Sequence, residues 1–231
     1  MKIGIIAAMK PEIDELRNSL ENCYTDKQYT FDFYCGNLNS NQVVVVESGM
    51  GKGNAILAAT LLVEHFSCEL IINTGIAGGV SPLNTNDVVV SKSLMYSDFD
   101  ARPLGALYGQ VPGLPKYYYP SQELLMYVKK TLNKLNVNYV MAPIYTSDKF
   151  ISSFEQLNEI KDEIEGAAIE MEGAGVAQAA TRLGVDFIVI RYISDIIGKE
   201  NQIDDYHEFE IEASNRSALI TKELIKNIIL D

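Results

Sequence analysis

Tryptophan is absent from the 231 residues, histidine occurs only twice and cysteine only three times. His65, His207, Cys23, Cys35 and Cys68 are scattered without CxxC or other metal-ligand spacing, so neither zinc nor another metal is expected. An odd count of isolated cysteines reads as thiols in a reducing compartment rather than a disulfide framework. Basic residues are in deficit, 19 Lys and Arg against 31 Asp and Glu, for a formal charge of −12. That balance excludes the basic face that a nucleic-acid backbone requires, while a small neutral or zwitterionic ligand stays open. No apolar run approaches the length of a membrane span, and the opening MKIGIIAAMKPE is too short for a signal peptide. The expectations are a cytoplasmic protein with no membrane or nucleic-acid partner. Repeats, low-complexity tracts and linkers are also missing, so a single domain over 1–231 is expected.

What is present is an alternation of apolar strands and helices, the pattern of an α/β fold around a central sheet. Residues 2–8 form a continuous apolar run, which reads as a strand buried on both faces. Pro11 and Glu12 then open a helix to about residue 20, since proline suits a first helical turn. Glu12 thus sits at a strand's carboxyl end and a helix's amino end, where open α/β sheets place ligands. From this residue alone, a carboxylate complementing the helix dipole is the simpler account.

Residues 30–35 and 42–47 read as strands around a polar hairpin loop, 36–41. Ser48-Gly49-Met50-Gly51-Lys52-Gly53 leads into a helix over 54–66 and suggests backbone amides close to a ligand. It is not a nucleotide fingerprint, and no GxxxxGK[ST] occurs. A second glycine-rich turn, Thr74-Gly75-Ile76-Ala77-Gly78-Gly79, ends a strand over 69–73, and another strand covers 87–91. Residues 96–120, rich in Gly, Pro and Tyr, form a loop long enough to be a lid or a subunit contact. A helix over 122–135 and a strand over 139–145 follow; Phe150 and Ile151 beyond them read as ordinary core. A mobile segment over 152–166, a polar loop over 198–205 and a last helix over 206–229 complete the chain.

The most informative stretch is 168–195, AIEMEGAGVAQAATRLGVDFIVIRYISD. A short apolar run carries Glu170 and Glu172 on either side of Met171. A helix of small residues follows over 173–183, then a buried strand over 187–192 with Arg191 inside it and Ser194-Asp195 at its end. Burying charge without a partner is expensive, so charges delivered to one end of a sheet suggest a site. A capping carboxylate plus a salt-bridged arginine explains them about as well.

MKIGIIAAMKPE, SGMGKGNA, NTGIAGG, YGQVPG, SDKFI, IEMEGAGVAQ and RYISD occur in the order and spacing of 5′-methylthioadenosine/S-adenosylhomocysteine nucleosidases, which the chain resembles over residues 1 to about 209. The resemblance implies the nucleoside phosphorylase/nucleosidase superfamily and its three-layer αβα sandwich with a mixed, twisted central sheet. It implies a homodimer, adenine nucleosides as small-molecule partners, no cofactor, and hydrolysis of the N-glycosidic bond to release adenine. By the same matching, Asp195 protonates the purine at N7, Glu12 activates the attacking water, and Arg191 holds that water and Glu12. Glu172 accepts hydrogen bonds from the ribose hydroxyls, and Ser194 orients Asp195. Phe150 stacks on adenine and the Ile151 backbone reads its edge. Met50 and Met171 line the ribose and 5′-alkylthio end, and Tyr206 closes the 5′ pocket. Met9, Ile76, Gly78 and Glu170 complete the expected substrate-binding set, with Leu104 and Pro112 lent by the other subunit.

Four positions depart from the family pattern. Ile76 stands where a serine is usual, Ala7 and Ser147 where glycines are usual, and Leu104 where an aromatic is usual. They put substrate preference in doubt more than reaction type. The rivals are a phosphorylase of the same superfamily and a nucleoside-binding protein without catalysis. Phosphate needs clustered cations, and near the glycine turns only Lys52 and Arg191 are present, with Glu12 opposing an anion.

Overall fold

The structure is a computed structural model that describes residues 1–228. Strand β1 (Lys2–Ala7) runs into helix α1 (Lys10–Asn18), followed by β2 (Glu21–Gln28), β3 (Phe31–Leu38) and β4 (Asn41–Glu47). Helix α2 (Lys52–Glu64), β5 (Leu70–Gly79), β6 (Val88–Tyr96), α3 (Gln122–Lys134) and β7 (Tyr139–Thr146) come next. The chain continues through β8 (Ala168–Glu170), α4 (Gly173–Leu183), β9 (Asp186–Ile196) and α5 (Gln202–Asn227). Among the described residues, nine strands form one mixed sheet in the order β2-β3-β4-β1-β5-β8-β7-β6-β9. Because β5 also pairs with β9 along its length, strands β5, β8, β7, β6 and β9 close into a ring at one side of the sheet.

Helices cover both faces, as the expected three-layer arrangement requires. Ile3 and Ile5 of β1 pack with Ile13 and Leu16 of α1 and with Leu124 and Leu224 of α3 and α5. Ile6 faces the other way, with Ala55 and Leu62 of α2 and Ala174 and Ala177 of α4. A strand buried on both faces has no polar side to show, which is why β1 carries no polar side chain from Ile3 onward. The small residues of α4 have a packing cause: a Cβ on Gly175 would stand 3.1 Å from the Lys52 carbonyl oxygen of α2.

Several elements differ from expectation. Strand β2 was not foreseen; ENCYTDKQ is an edge strand whose mostly exposed residues carry no apolar alternation. The hairpin loop between β3 and β4 shrinks to Asn39 and Ser40. Residues 74–79 are not a turn but the second half of β5, which pairs with β9 as far as Gly79. Segment 152–166, expected as mobile, is packed: Leu157, Ile160 and Ile164 are buried beside Tyr145 and Ile169. Helix α5 starts four residues early, and its expected last residue, Ile229, lies outside the described residues. Among the described residues no helix is long and apolar enough to cross a membrane.

Candidate active site

The carboxyl halves of β5 and β9, the ends of β1 and β8, and the loops after β4 and β7 converge on one cavity that opens to solvent. Glu12, Glu170, Glu172, Asp195 and Arg191 all line it, together with Met9, Met50, Ile76, Gly78, Phe150, Ile151, Met171, Ser194 and Tyr206. The fold thus brings together every expected substrate-contacting residue except two. Leu104 and Pro112 lie exposed in the long loop, outside the cavity lining of their own chain.

Glu12 hangs from the first turn of α1 and folds back over the end of β1. Its Oε2 accepts hydrogen bonds from the backbone N–H groups of Ala8 and Met9, both at 3.0 Å, and its Oε1 from Ile76 N–H at 3.2 Å. Burial pushes its pKa up to about 7, against the pull of Arg191 and of these three N–H groups. Asp195 is also buried. Its Oδ1 accepts from Ser194 Oγ at 2.6 Å and its Oδ2 from Gln202 Nε2 at 2.8 Å. Burial raises its pKa above the ordinary carboxylate value, these two donors oppose that, and Asp205 adds to the rise.

Strand β5 admits both carboxyl groups because it lacks side chains where they arrive. A Cβ on Gly75 would stand 2.8 Å from Glu12 Oε1, and one on Gly78 would stand 3.2 Å from Asp195 Oδ2. The two anchor points are three residues apart, roughly 10 Å along an extended strand.

Arg191 and Glu170 form a buried pair in the cavity wall, in direct contact through Nη2 and Oε2. Arg191 Nη2 also donates to Asn73 Oδ1 at 2.6 Å, and Nη1 to the carbonyl oxygens of Asn73 and Ile190. Glu170 further accepts from Thr146 Oγ1, from Glu172 N–H at 3.0 Å and from Gly173 N–H at 2.7 Å. The Glu170 carboxylate is thus engaged by four protein donors, three of them on Oε2. Arg191 directs its hydrogen bonds to Glu170, Asn73 and Ile190, and its charge acts on Glu12 through space.

Glu172 is different. Its Oε1 accepts from Gly51 N–H at 2.8 Å, while Oε2 stands 3.8 Å from Arg191 Nη2. Burial, and then the neighbouring charge of Glu170, push its pKa up to about 7. Gly51 has φ +96°, a left-handed conformation that presents its N–H to Glu172. The lysine of that turn faces away: Lys52 Nζ pairs with Asp98 at 2.5 Å and Asp148 at 3.4 Å. At the cavity mouth the Phe150 and Tyr206 rings meet edge to face, 5.5 Å apart, and Tyr206 Oη lies 3.8 Å from Met9 Sδ.

Sequence reasoning missed Gln202, Asn73 and Thr146. Each is a polar residue inside an otherwise unremarkable element, and only its contacts in the fold reveal it. Among the described residues no group of His, Cys, Asp and Glu could hold a metal ion.

A model of the phosphorylase superfamily matches residues 2–226. The S-adenosylhomocysteine nucleosidase of Streptococcus pyogenes, solved with 5-methylthiotubericidin, is 37% identical with a TM-score of 0.94, covering 100% of this chain and 98% of that one. The 5′-methylthioadenosine/S-adenosylhomocysteine nucleosidase of Colwellia psychrerythraea 34H, solved with adenine, is 34% identical with a TM-score of 0.92 and the same coverage. A futalosine hydrolase mutant of Helicobacter pylori strain 26695 shares 26% identity, with a TM-score of 0.93 over 99% of this chain and 100% of that chain.

Proposed function

We propose that this chain, which belongs to the phosphorylase superfamily and within it to the 5′-methylthioadenosine/S-adenosylhomocysteine nucleosidases, hydrolyses the N-glycosidic bond of 5′-methylthioadenosine and S-adenosylhomocysteine, with 5′-deoxyadenosine in its range. The observation that carries this reading is the pair of buried carboxyl groups, Glu12 and Asp195, held against Gly75 and Gly78 in one cavity. Two carboxyl groups separated by room for a water are what inverting glycosidic cleavage needs.

Asp195, protonated, gives its proton to adenine N7 as the C1′–N9 bond breaks, so that neutral adenine departs. Glu12, ionised, takes a proton from the water whose oxygen bonds to C1′ of the oxocarbenium-like ribosyl group. Ser194 fixes the carboxyl of Asp195. Glu172, an acceptor with one oxygen uncommitted to backbone, receives the ribose hydroxyls. Phe150 stacks on the base and the Ile151 backbone reads its edge. Met9, Met50, Met171 and Tyr206 form a soft apolar wall for the 5′-alkylthio group. In a homodimer, the exposed loop bearing Leu104 and Pro112 completes the neighbour's 5′ pocket.

Charge supports water over phosphate as the nucleophile. The cavity is lined by four carboxylates against Arg191 and Lys149, and Arg191 is already paired with Glu170. A phosphorylase site would need cations free to hold an anion.

The test is adenine release from methylthioadenosine by the purified protein, with and without phosphate, and with futalosine as a second substrate. Equal release in both buffers, with free methylthioribose, is expected. Release only with phosphate, giving the sugar 1-phosphate, would make the chain a phosphorylase and remove Glu12 from its role.

A further inference from the structure

We propose that Gln202, the first residue of α5, is a positioning residue for Asp195: it clamps the acid's carboxyl group and ties its orientation to the seating of α5 over the cavity. This rests on the reading of Asp195 as the general acid.

Gln202 is buried although it opens a helix, and both hydrogens of its side-chain amide are donated. Nε2 donates to Asp195 Oδ2 at 2.8 Å and to the Ile151 carbonyl oxygen at 2.9 Å, while Oε1 accepts from Gly198 N–H at 3.1 Å. One amide therefore joins the acid, the loop carrying Phe150 and Ile151, and the turn that follows β9. Ser194 holds the other carboxyl oxygen, so both oxygens of Asp195 are fixed and its plane is set. Each carboxyl oxygen has a second lone-pair site, which leaves one for the proton and the purine. Tyr206 lies one turn along α5 and stacks edge to face on Phe150, so the same helical turn that locks the acid also builds the cavity mouth.

A donor to the ionised carboxyl favours the ionised form. Removing the amide then raises the pH at which Asp195 loses its proton and frees the group to rotate. The charged residues around Asp195 that bear on this are Asp205 of α5, with Lys149, Glu12, Glu170, Glu172 and Arg191 lining the same cavity.

Gln202→Met keeps the length of the side chain and removes the amide, and the neutral Gln202→Leu serves if the first variant does not fold. In the variant, kcat for adenine release is expected to fall about tenfold, the size of one lost hydrogen bond to a charged partner. The alkaline limb of kcat/KM should move to higher pH, and the Asp195 side-chain carboxyl, followed by carbon-13 NMR, should titrate at higher pH than in the parent. A rate loss with an unmoved Asp195 titration would reduce Gln202 to a structural role and overturn the proposal. If the parent protein cleaves no nucleoside, the general-acid reading fails, yet the titration still decides whether Gln202 holds Asp195.

Discussion

Gly75 lies so close to Glu12 that a Cβ on it would stand 2.8 Å from the carboxylate's Oε1. The glycine is thus a receptor for the side chain of another element, and Ile76 N–H beside it supplies one of the three hydrogen bonds that hold Glu12. A strand without side chains at this point is the condition for burying the carboxylate.

Gly75→Ala should therefore displace the Glu12 carboxylate rather than unfold the sheet. We expect kcat/KM to fall by about a hundredfold, the order of loss that a misplacement near 1 Å produces, with a far smaller change in Tm. A wild-type rate would show that Glu12 is not positioned by this contact.

Glu12 also sets a pH dependence. Burial has raised its pKa to about 7, and a base works only when ionised. Activity should be lost as pH falls through about 7, giving kcat/KM an acidic limb well above the ordinary carboxylate range. Glu12→Gln should cripple turnover at every pH and retain adenine binding, measured by calorimetry. Joint loss of binding and turnover would assign Glu12 to structure.

Asp195→Asn keeps the shape of the acid and removes its transferable proton. Turnover is expected to drop by roughly 10² to 10⁴-fold, the usual worth of a positioned acid, with an unchanged circular dichroism spectrum. Residual activity near the parent level would eliminate Asp195 as the proton donor.

The two glutamates around Met171 should separate cleanly. Glu170→Ala takes from buried Arg191 its directly bonded carboxylate, and breaking a buried ion pair costs about 3–5 kcal/mol, which denaturant titration should register as lost stability. Glu172→Gln retains most of the local packing, so its effect should fall on KM for nucleosides with a small change in stability. The reverse pattern would exchange the roles given to the two residues.

The chain's own residues determined the class of the fold and the inventory of the site. A short apolar run such as 3–8 reads as a strand covered on both faces, and Pro11 after it marks the first turn of the helix that carries Glu12. Glu172, Arg191 and Asp195 were legible because each sets a charge in or beside an apolar run, whereas Glu12 stood out only through the ordered motifs around it. Local pattern could not show that residues 74–79 continue as strand, since glycine reads as a turn until β9 supplies the pairing. Nor could it distinguish Glu170 from Glu172, two residues apart in sequence. Only the tertiary structure decided which carboxylate meets Arg191, Thr146 and two backbone N–H groups and which keeps an oxygen for the cavity. Gln202 was hidden for the same reason: a polar residue in a helix's first turn gains its meaning from β9 and the loop after β7, which sequence distance conceals. Burial and hydrogen bonding between remote segments are properties of the fold, and they assign the protons.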